Sequence, residues 1–500
     1  MLRPLLLAPL AFVALGLAAL QPAPAGPSAQ EAASEPTERP AAGDAGAARG
    51  PDYGAIVDAI LDDPDLPRAV WGIYVRDLAR GETVVDRNAD LTMLPASTHK
   101  LFTTATALDR LGADYRYTTR LYHFGGASGE TLSGDLVIRG AGDPTFGSVG
   151  VDGNPLERWA EALFESGVRR VEGRIIGDDD RFADAAYAEG WDVSHIATET
   201  YAPASGGLAW RDNLLAVRFE GGTPTVDPPN LVEFVTDVAS RRSGGGNLRV
   251  RRVVGTNQIQ LLGSAPAGYR GTIRIPVENP TLYAAAAFAD ALAEAGIAVE
   301  AALVDVDEMA TPPSYDGAEP LRAYVSPPLA QIVRRINRRS DNLYAEHLFR
   351  TLSPSGSTEA SARVVEAFLA GAGAQTAGLN IVDGSGLSRK DLVTPEAMGL
   401  LLAEMHDHEE AAAFRRSLAQ GGGAGTTLRN RLGGVPVRAK TGSLQAVRAL
   451  AGYVDGPRGE PLAFVILANH YTARGARVTR AIDRIVRALA SGTRPPIDEE

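Results

Sequence analysis

The chain has no cysteine among its 500 residues, and this absence limits how such a chain can hold a fold together. It excludes disulfide bonds, thiolate metal sites, a catalytic thiol and a lipid-modified N-terminal cysteine. At 500 residues the chain is also too long for a single compact core. We expect two or three domains.

The overall charge restricts the class of partner. The formal net charge is −12, with 45% hydrophobic and 22% charged residues. This composition is typical of a globular protein, and an acidic surface repels a phosphate backbone. We therefore expect no nucleic-acid partner.

The N-terminus has the pattern of an export signal. Arg3 supplies a positive start, residues 5–20 form an apolar run, and Ala23-Pro24-Ala25 gives a small-x-small cleavage pattern. The run is shorter than the ~20 residues that a spanning helix needs, which favours a cleaved signal peptide, residues 1–25, over an uncleaved anchor. Residues 26–50 are rich in Ala, Pro, Gly, Ser and Glu and predict a disordered linker. We expect an exported protein of the periplasm or cell-wall space, with no transmembrane segment after cleavage.

Lysine is rare in this chain. Only three of the 49 basic residues are lysine, namely Lys100, Lys390 and Lys440. An arginine guanidinium stays charged in proteins, whereas a lysine can give up its proton. Each remaining lysine is therefore a candidate for proton transfer.

The first candidate lies in Ser97-Thr98-His99-Lys100. The apolar residues that follow have helical spacing, so Ser97 is predicted to open a helix with Lys100 on the same face. A serine hydroxyl needs a base to become a good nucleophile, and a partly buried lysine with a lowered pKa can be that base. Alone, a serine three residues before a lysine also fits an ordinary helix cap.

Two further motifs follow in the second half of the chain. Lys440-Thr441-Gly442 ends a run with the alternation of a strand, and Gly442 would let a ligand backbone lie close to it. Residues 450–454 and 462–468 predict an antiparallel hairpin that continues the sheet. Ser340-Asp341-Asn342 is a turn between two predicted helices.

Taken in this order, Ser-x-x-Lys, Ser-Asp-Asn and Lys-Thr-Gly resemble the motifs of the penicillin-recognising serine enzymes. Ser340 follows Ser97 by 243 residues, more than a single-domain β-lactamase needs. This spacing resembles the D-Ala-D-Ala carboxypeptidase/endopeptidase family of low-molecular-mass penicillin-binding proteins (peptidase family S13, class C type). Residues 134–144 and 383–389 resemble the same family, and the likeness covers about residues 55–490.

The resemblance implies an α/β fold. Residues 51–115 and 310–490 would form a transpeptidase-like catalytic domain, an antiparallel sheet with helices on both faces. Two smaller β-rich domains would be inserted in it: domain II from 116–140 and 217–309, and a nested domain III from 141–216.

The resemblance also implies roles for single residues. Ser97 would attack the carbonyl of the penultimate D-Ala while Lys100 takes its proton. Ser340 would pass a proton to the departing amine, and Asn342 would bind the substrate amide and steady Lys100. Lys440, Thr441 and Ser443 would bind the terminal carboxylate beside Gly442, and the backbone N–H groups of Ser97 and Ser443 would form an oxyanion hole.

Arg389 matches a position that can meet the carboxylate of a diaminopimelate-type stem peptide. An ordinary solvated loop charge remains the alternative for this arginine. The implied partners are peptidoglycan stem peptides and, as covalent inhibitors, β-lactam antibiotics. No cofactor or metal is implied.

Other interpretations stay open. A β-lactamase or esterase could use the same chemistry, and a non-catalytic peptidoglycan-binding protein could keep only the fold. His406 and His408 could suggest a metal, but on a helix their two-residue spacing points the rings apart. The chain has no Gly-x-Ser-x-Gly motif, which disfavours an α/β-hydrolase.

The export signal leads to a first prediction. We expect the mature chain to begin at Gly26, because cleavage follows the small-x-small pattern. N-terminal sequencing of the exported protein measures this. A chain that keeps residues 5–20 after export would instead be membrane-anchored.

Overall fold

The computed structural model describes residues 50–494 except 65, 149–152, 184, 230, 242–245 and 267. The predicted signal peptide and residues 26–49 of the predicted linker lie outside the described residues. None of the helices in the described part of the chain combines the length and the hydropathy that crossing a bilayer requires.

The strands, in chain order, are β1 (Val70–Asp77), β2 (Glu82–Arg87), β3 (Thr118–Ser128), β4 (Thr131–Arg139), β5 (Arg170–Asp178), β6 (Leu214–Gly221), β7 (Thr223–Thr225), β8 (Glu233–Arg241), β9 (Arg249–Arg252), β10 (Gln258–Pro266), β11 (Gly268–Pro276), β12 (Ala298–Asp305), β13 (Arg322–Val325), β14 (Ala419–Gln420), β15 (Val437–Leu444), β16 (Val447–Asp455) and β17 (Pro461–Asn469).

The α-helices are α1 (Tyr53–Leu61), α2 (Lys100–Leu111), α3 (Pro155–Glu165), α4 (Val193–Ile196), α5 (Pro280–Glu294), α6 (Leu329–Arg339), α7 (Asn342–Thr351), α8 (Thr358–Gly371), α9 (Pro395–Asp407), α10 (Ala411–Ser417) and α11 (Gly475–Ser491). Short 3-10 turns span Ala96–His99, Arg211–Asn213 and Val306–Glu308.

The largest sheet is six-stranded and antiparallel, in the order β14-β15-β16-β17-β1-β2. The side chains of strand β17 show that this sheet is buried on both faces. Leu462, Phe464 and Ile466 pack with α1 and α11, whereas the intervening Ala463 and Val465 pack with α2, α6, α7 and α9. Successive side chains of a strand point to opposite faces, so a continuous apolar run fits a sheet with helices on both faces. This confirms the predicted α/β class and the predicted β16–β17 hairpin.

A second, mixed sheet, with both parallel and antiparallel pairs, is built from strands that lie between β2 and α6 in the sequence. Its order is β12-β5-β4-β3-β13, with β4, β5 and β12 parallel. A parallel pair needs a crossover, and α3 provides it between β4 and β5. Two three-stranded sheets, β11-β6-β7 and β8-β10-β9, lie between β5 and α5 in the sequence.

The strand pairing corrects two of the expected domain boundaries. Residues 141–216 were predicted as the nested domain, but β5 pairs with β4 and β12, so 170–178 belong to the mixed sheet. The nested sheets lie later, at 214–276. Residues 310–325 were predicted to belong to the catalytic domain, yet β13 pairs with β3 of the mixed sheet. The pairs β5–β12 and β3–β13 each join strands that are far apart in the sequence, and local alternation does not reveal such pairs.

Candidate active site

Ser97 lies in the 3-10 turn Ala96–His99, which leads directly into α2. We predicted an α-helix from Ser97; its α-helical part instead begins at Lys100. The two side chains still meet, because Lys100 Nζ lies 3.0 Å from Ser97 Oγ. Ser97 is partly exposed and Lys100 is fully buried.

Lys100 Nζ has two further neighbours, both of which are carbonyl-type acceptors. It donates to Asn342 Oδ1 at 2.6 Å and to the Ser385 carbonyl oxygen at 2.6 Å. Burial lowers the pKa of Lys100 to about 8, although Asp383 and other carboxylates nearby act in the opposite direction. A neutral amine has two N–H groups and one lone pair. With both N–H groups bound to these acceptors, its lone pair is left for the Ser97 hydroxyl.

The Ser340-Asp341-Asn342 turn joins α6 to α7. Ser340 ends α6 in the left-handed conformation, with φ of 62°, and the Asp341 side chain caps α7 by accepting from the Tyr344 N–H at 3.3 Å. Asn342 is the first residue of α7, and its Nδ2 donates to the Tyr201 carbonyl oxygen at 2.7 Å. Both ends of the Asn342 amide are therefore held.

Arg335 connects this turn to the inserted segment. Its guanidinium donates to Asp341 at 2.8 Å and to Asp212 at 3.0 Å, and it lies over the Tyr344 ring. Charge-assisted bonds of this kind are stronger than neutral ones. Arg335 thus ties Asp341 of the second motif to Asp212 of the inserted segment.

Lys440 lies on β15 and is fully buried. Its Nζ donates to Ser340 Oγ at 2.8 Å and to the Thr441 carbonyl oxygen at 2.7 Å. Burial, and then the charge of Lys100, hold the pKa of Lys440 well below its usual range. The hydroxyl of Ser340 is therefore coupled to a second buried lysine.

Gly442 lies against the turn that contains Ser97. A Cβ at this position would lie 2.7 Å from the Pro95 carbonyl oxygen and 3.2 Å from the Thr98 nitrogen. The missing side chain therefore allows β15 to pack against the Ala96–His99 turn, and the approach of a ligand to Gly442 stays a prediction. Gly386 does the same from the other side, because a Cβ there would overlap the Ala96 carbonyl oxygen.

A cavity of about 600 Å³ opens above these residues. Five of the predicted residues line it: Ser97, Ser340, Asn342, Arg389 and Ser443. Lys100 and Lys440 lie behind this lining, in contact with Ser97 and Ser340 respectively. Among the described residues, Thr441 and Gly442 are not part of the lining.

Sequence reasoning missed one wall of the cavity, which includes Asp192, His195 and Tyr201. Trp191 anchors this wall by donating from Nε1 to Asp383 Oδ2 at 2.9 Å. The buried guanidinium of Arg350 also holds it, through the carbonyl oxygens of residues 185 and 205 at 3.0 and 3.3 Å. This wall contacts the second motif through the backbone carbonyl of Tyr201, which accepts from Asn342. A backbone acceptor has no sequence signature, so the sequence could not reveal this contact.

The loop of residues 383–389 supplies the carbonyl oxygen of Ser385 to Lys100 and places Arg389 at the cavity. The Asp383 carboxylate accepts from the backbone N–H groups of Ser385 at 3.0 Å and Ser388 at 2.7 Å, which folds the loop so that the Ser385 carbonyl faces Lys100. Arg389 is exposed at the cavity edge, where it donates to the Gln445 carbonyl oxygen at 3.3 Å.

His99 lies within the first motif but packs in the core. It is fully buried, its Nε2 lies 2.9 Å from the Asp383 carbonyl oxygen, and its ring meets Phe102 edge-on. Burial lowers the pKa of His99 to about 4. The ring is therefore neutral at physiological pH.

Known proteins match this chain over most of its length. A sequence model of the D-Ala-D-Ala carboxypeptidase 3 (S13) family matches residues 54–489. The D-alanyl-D-alanine carboxypeptidase of Actinomadura sp. is 34% identical over 461 residues, 87% of this chain and 84% of that protein.

Solved structures agree with the fold. The crystal structure of penicillin-binding protein 4 (DacB) from Haemophilus influenzae superposes with a TM-score of 0.74 at 25% identity, covering 87% of this chain and 99% of that one. A structure of the same protein complexed with a β-lactam gives a TM-score of 0.70 at 23% identity, with the same coverage. The chain belongs to the D-Ala-D-Ala carboxypeptidase 3 (S13) family.

Proposed function

We propose that this protein is a serine D-Ala-D-Ala carboxypeptidase/endopeptidase that acts on peptidoglycan stem peptides through an acyl-enzyme on Ser97. The observation that carries the proposal is the setting of Lys100. Its amine touches the Ser97 hydroxyl, its two other partners can only accept hydrogen bonds, and its pKa is lowered to about 8. Such a group can act as a base near neutral pH.

In the acylation step, Ser97 Oγ attacks the carbonyl carbon of the penultimate D-Ala while its proton passes to Lys100. The C–N bond to the terminal D-Ala then breaks, and Ser340 delivers a proton to the departing amine. The contact of Ser340 Oγ with Lys440 Nζ supports this role, because the lysine can replace the proton. Water then hydrolyses the ester and restores Ser97.

Substrate binding follows from the cavity lining. The backbone N–H groups of Ser97 and Ser443 stabilise the oxyanion, and Asn342 binds the amide of the acyl donor while steadying Lys100. Lys440, Thr441 and Ser443 hold the terminal carboxylate, with Lys440 acting from behind through the hydroxyl of Ser340. Gly442 keeps β15 close enough to Ser97 for this geometry.

Arg389 selects the stem peptide. Its guanidinium lines the cavity and is exposed, which leaves it available for a carboxylate on the residue before D-Ala-D-Ala.

The Haemophilus relative has been solved with a β-lactam, which supports β-lactams as covalent inhibitors here. The N-terminal signal pattern of residues 1–25 supports export to the periplasm or cell-wall space.

The central experiment measures D-Ala release from a peptide ending in D-Ala-D-Ala and labelling by a fluorescent penicillin. We expect release of D-Ala and a stable adduct, which mass spectrometry locates on Ser97. Ser97→Ala should abolish both activities and remain folded. Rapid penicillin turnover without D-Ala release would indicate a β-lactamase, and neither activity in folded protein would indicate a binding protein.

A conservative substitution tests the role of Lys100 as the general base. Lys100→Arg keeps a cation but removes a group that can lose its proton, and general-base assistance contributes about 10² to 10⁴ in rate. We expect the second-order rate of penicillin acylation to fall by about this factor.

Lys390→Arg is the matched control, because Lys390 is an exposed lysine paired with Glu189 outside the cavity lining. Its acylation rate should equal that of the wild type, and circular dichroism should show both variants folded. If Lys100→Arg acylates as fast as Lys390→Arg, then Lys100 is not the base.

The lowered pKa of Lys100 predicts a pH dependence. Lys100 is active as a base only without its proton, so acylation should slow as the pH falls and speed up as it rises. The midpoint should lie at about 8, the pKa of Lys100 in the fold, rather than near the ~10.4 of an ordinary lysine. Acylation rates over about pH 6 to 9.5, with thermal melts at each pH, measure it. A flat profile in folded protein would argue against a titrating Lys100.

A further inference from the structure

A second cavity, of about 800 Å³, lies beside the one that contains Ser97. It lies between the α4 region and strand β9 of the nested sheets, and its lining includes Ser194, Glu199 and Arg251. His195 lines both cavities. The short helix α4 therefore forms a shared wall, with Asp192 on the Ser97 side and Val193 on the other.

Two neighbouring arginines of β9 line this cavity, but only one has a charge available to a ligand. Arg252 is buried, forms an ion pair with Glu278, and donates to the carbonyl oxygens of Ile196 and Pro276, both at 3.1 Å. Arg251 is exposed and donates from Nε to the side-chain oxygen of Gln260 at 2.8 Å. A bond to a neutral amide fixes the guanidinium without neutralising it, so Arg251 offers an oriented positive charge to the cavity.

The position of the shared wall indicates which part of a substrate reaches this cavity. The His195 ring packs edge-on against Tyr201, and the Tyr201 carbonyl accepts from Asn342. In the proposed function, Asn342 binds the amide of the acyl donor. The chain that precedes the scissile bond therefore passes the wall formed by Tyr201 and His195.

We propose that the second cavity binds the part of the donor stem peptide that precedes the residue next to D-Ala-D-Ala, with Arg251 taking a free carboxylate on that part. This inference rests on the proposed function and extends its substrate from a D-Ala-D-Ala terminus to a longer acidic peptide. Glu199 on the same cavity supplies an acceptor for backbone N–H groups of the ligand, and Ser194 supplies a hydroxyl. The inserted nested sheets thus contribute to substrate selection.

The experiment compares three substrates that share the same last three residues. The first is an N-acylated tripeptide ending in D-Ala-D-Ala, the second adds a γ-linked D-glutamyl residue with its free carboxylate, and the third has that carboxylate as an amide. For Arg251→Ala we expect kcat/KM on the acidic substrate to fall about three- to tenfold, mainly through KM, since an exposed charge-assisted bond is lost. The tripeptide and the amide should be turned over as by the wild type, within about twofold.

Arg249→Ala is the matched control, because Arg249 is an exposed arginine of the same strand outside the cavity lining. It should leave all three substrates unchanged. An equal loss on the tripeptide and the acidic substrate, or no loss on either, would overturn the inference while leaving D-Ala release and penicillin labelling intact. A wild type that releases no D-Ala from any substrate would instead overturn the proposed function.

Discussion

Two lysine side chains that are withdrawn from water organise this site. A buried ammonium is costly unless it is compensated, so burial favours the neutral amine. Around Lys100 the fold supplies carbonyl-type oxygens at 2.6 Å and places Glu346, whose own pKa burial raises to about 8, near the same group. The Ala96–His99 turn, α7 and the 383–389 loop each contribute one neighbour of this nitrogen, so all three meet at Lys100.

Close backbone packing makes this compensation possible. Ala96, although not a glycine, has a φ of 48°, in the left-handed region that costs energy for ordinary residues. Gly386 and Gly442 flank the same turn, and a side chain on either would displace it. The strained turn is therefore held from the loop on one side and from β15 on the other, which fixes Ser97 relative to Ser340 and Ser443.

The chemistry of the site was easier to predict than its surroundings. Lysine rarity drew attention to Lys100, Lys390 and Lys440, and only the motifs around Lys100 and Lys440 separated these two from the exposed Lys390. Alternation predicted the strand that holds Lys440. The nesting of the insertion was predicted wrongly, since the parallel pairing of β5 with β12 depends on contacts across more than one hundred residues. The Tyr201 and Ser385 carbonyls could not be predicted, because every residue has such a group and only the fold selects one.

The bond from Asn342 Nδ2 to the Tyr201 carbonyl oxygen has a consequence for how such a chain can change over evolution. Residue 201 belongs to the long insertion, whereas Asn342 belongs to the catalytic part. A shortened descendant that lost the insertion would leave a buried amide donor without its acceptor, and Arg335 without Asp212. Deletion and repair would have to occur together, so the insertion is not a detachable module but a part of the enzyme that is inherited with the asparagine it holds.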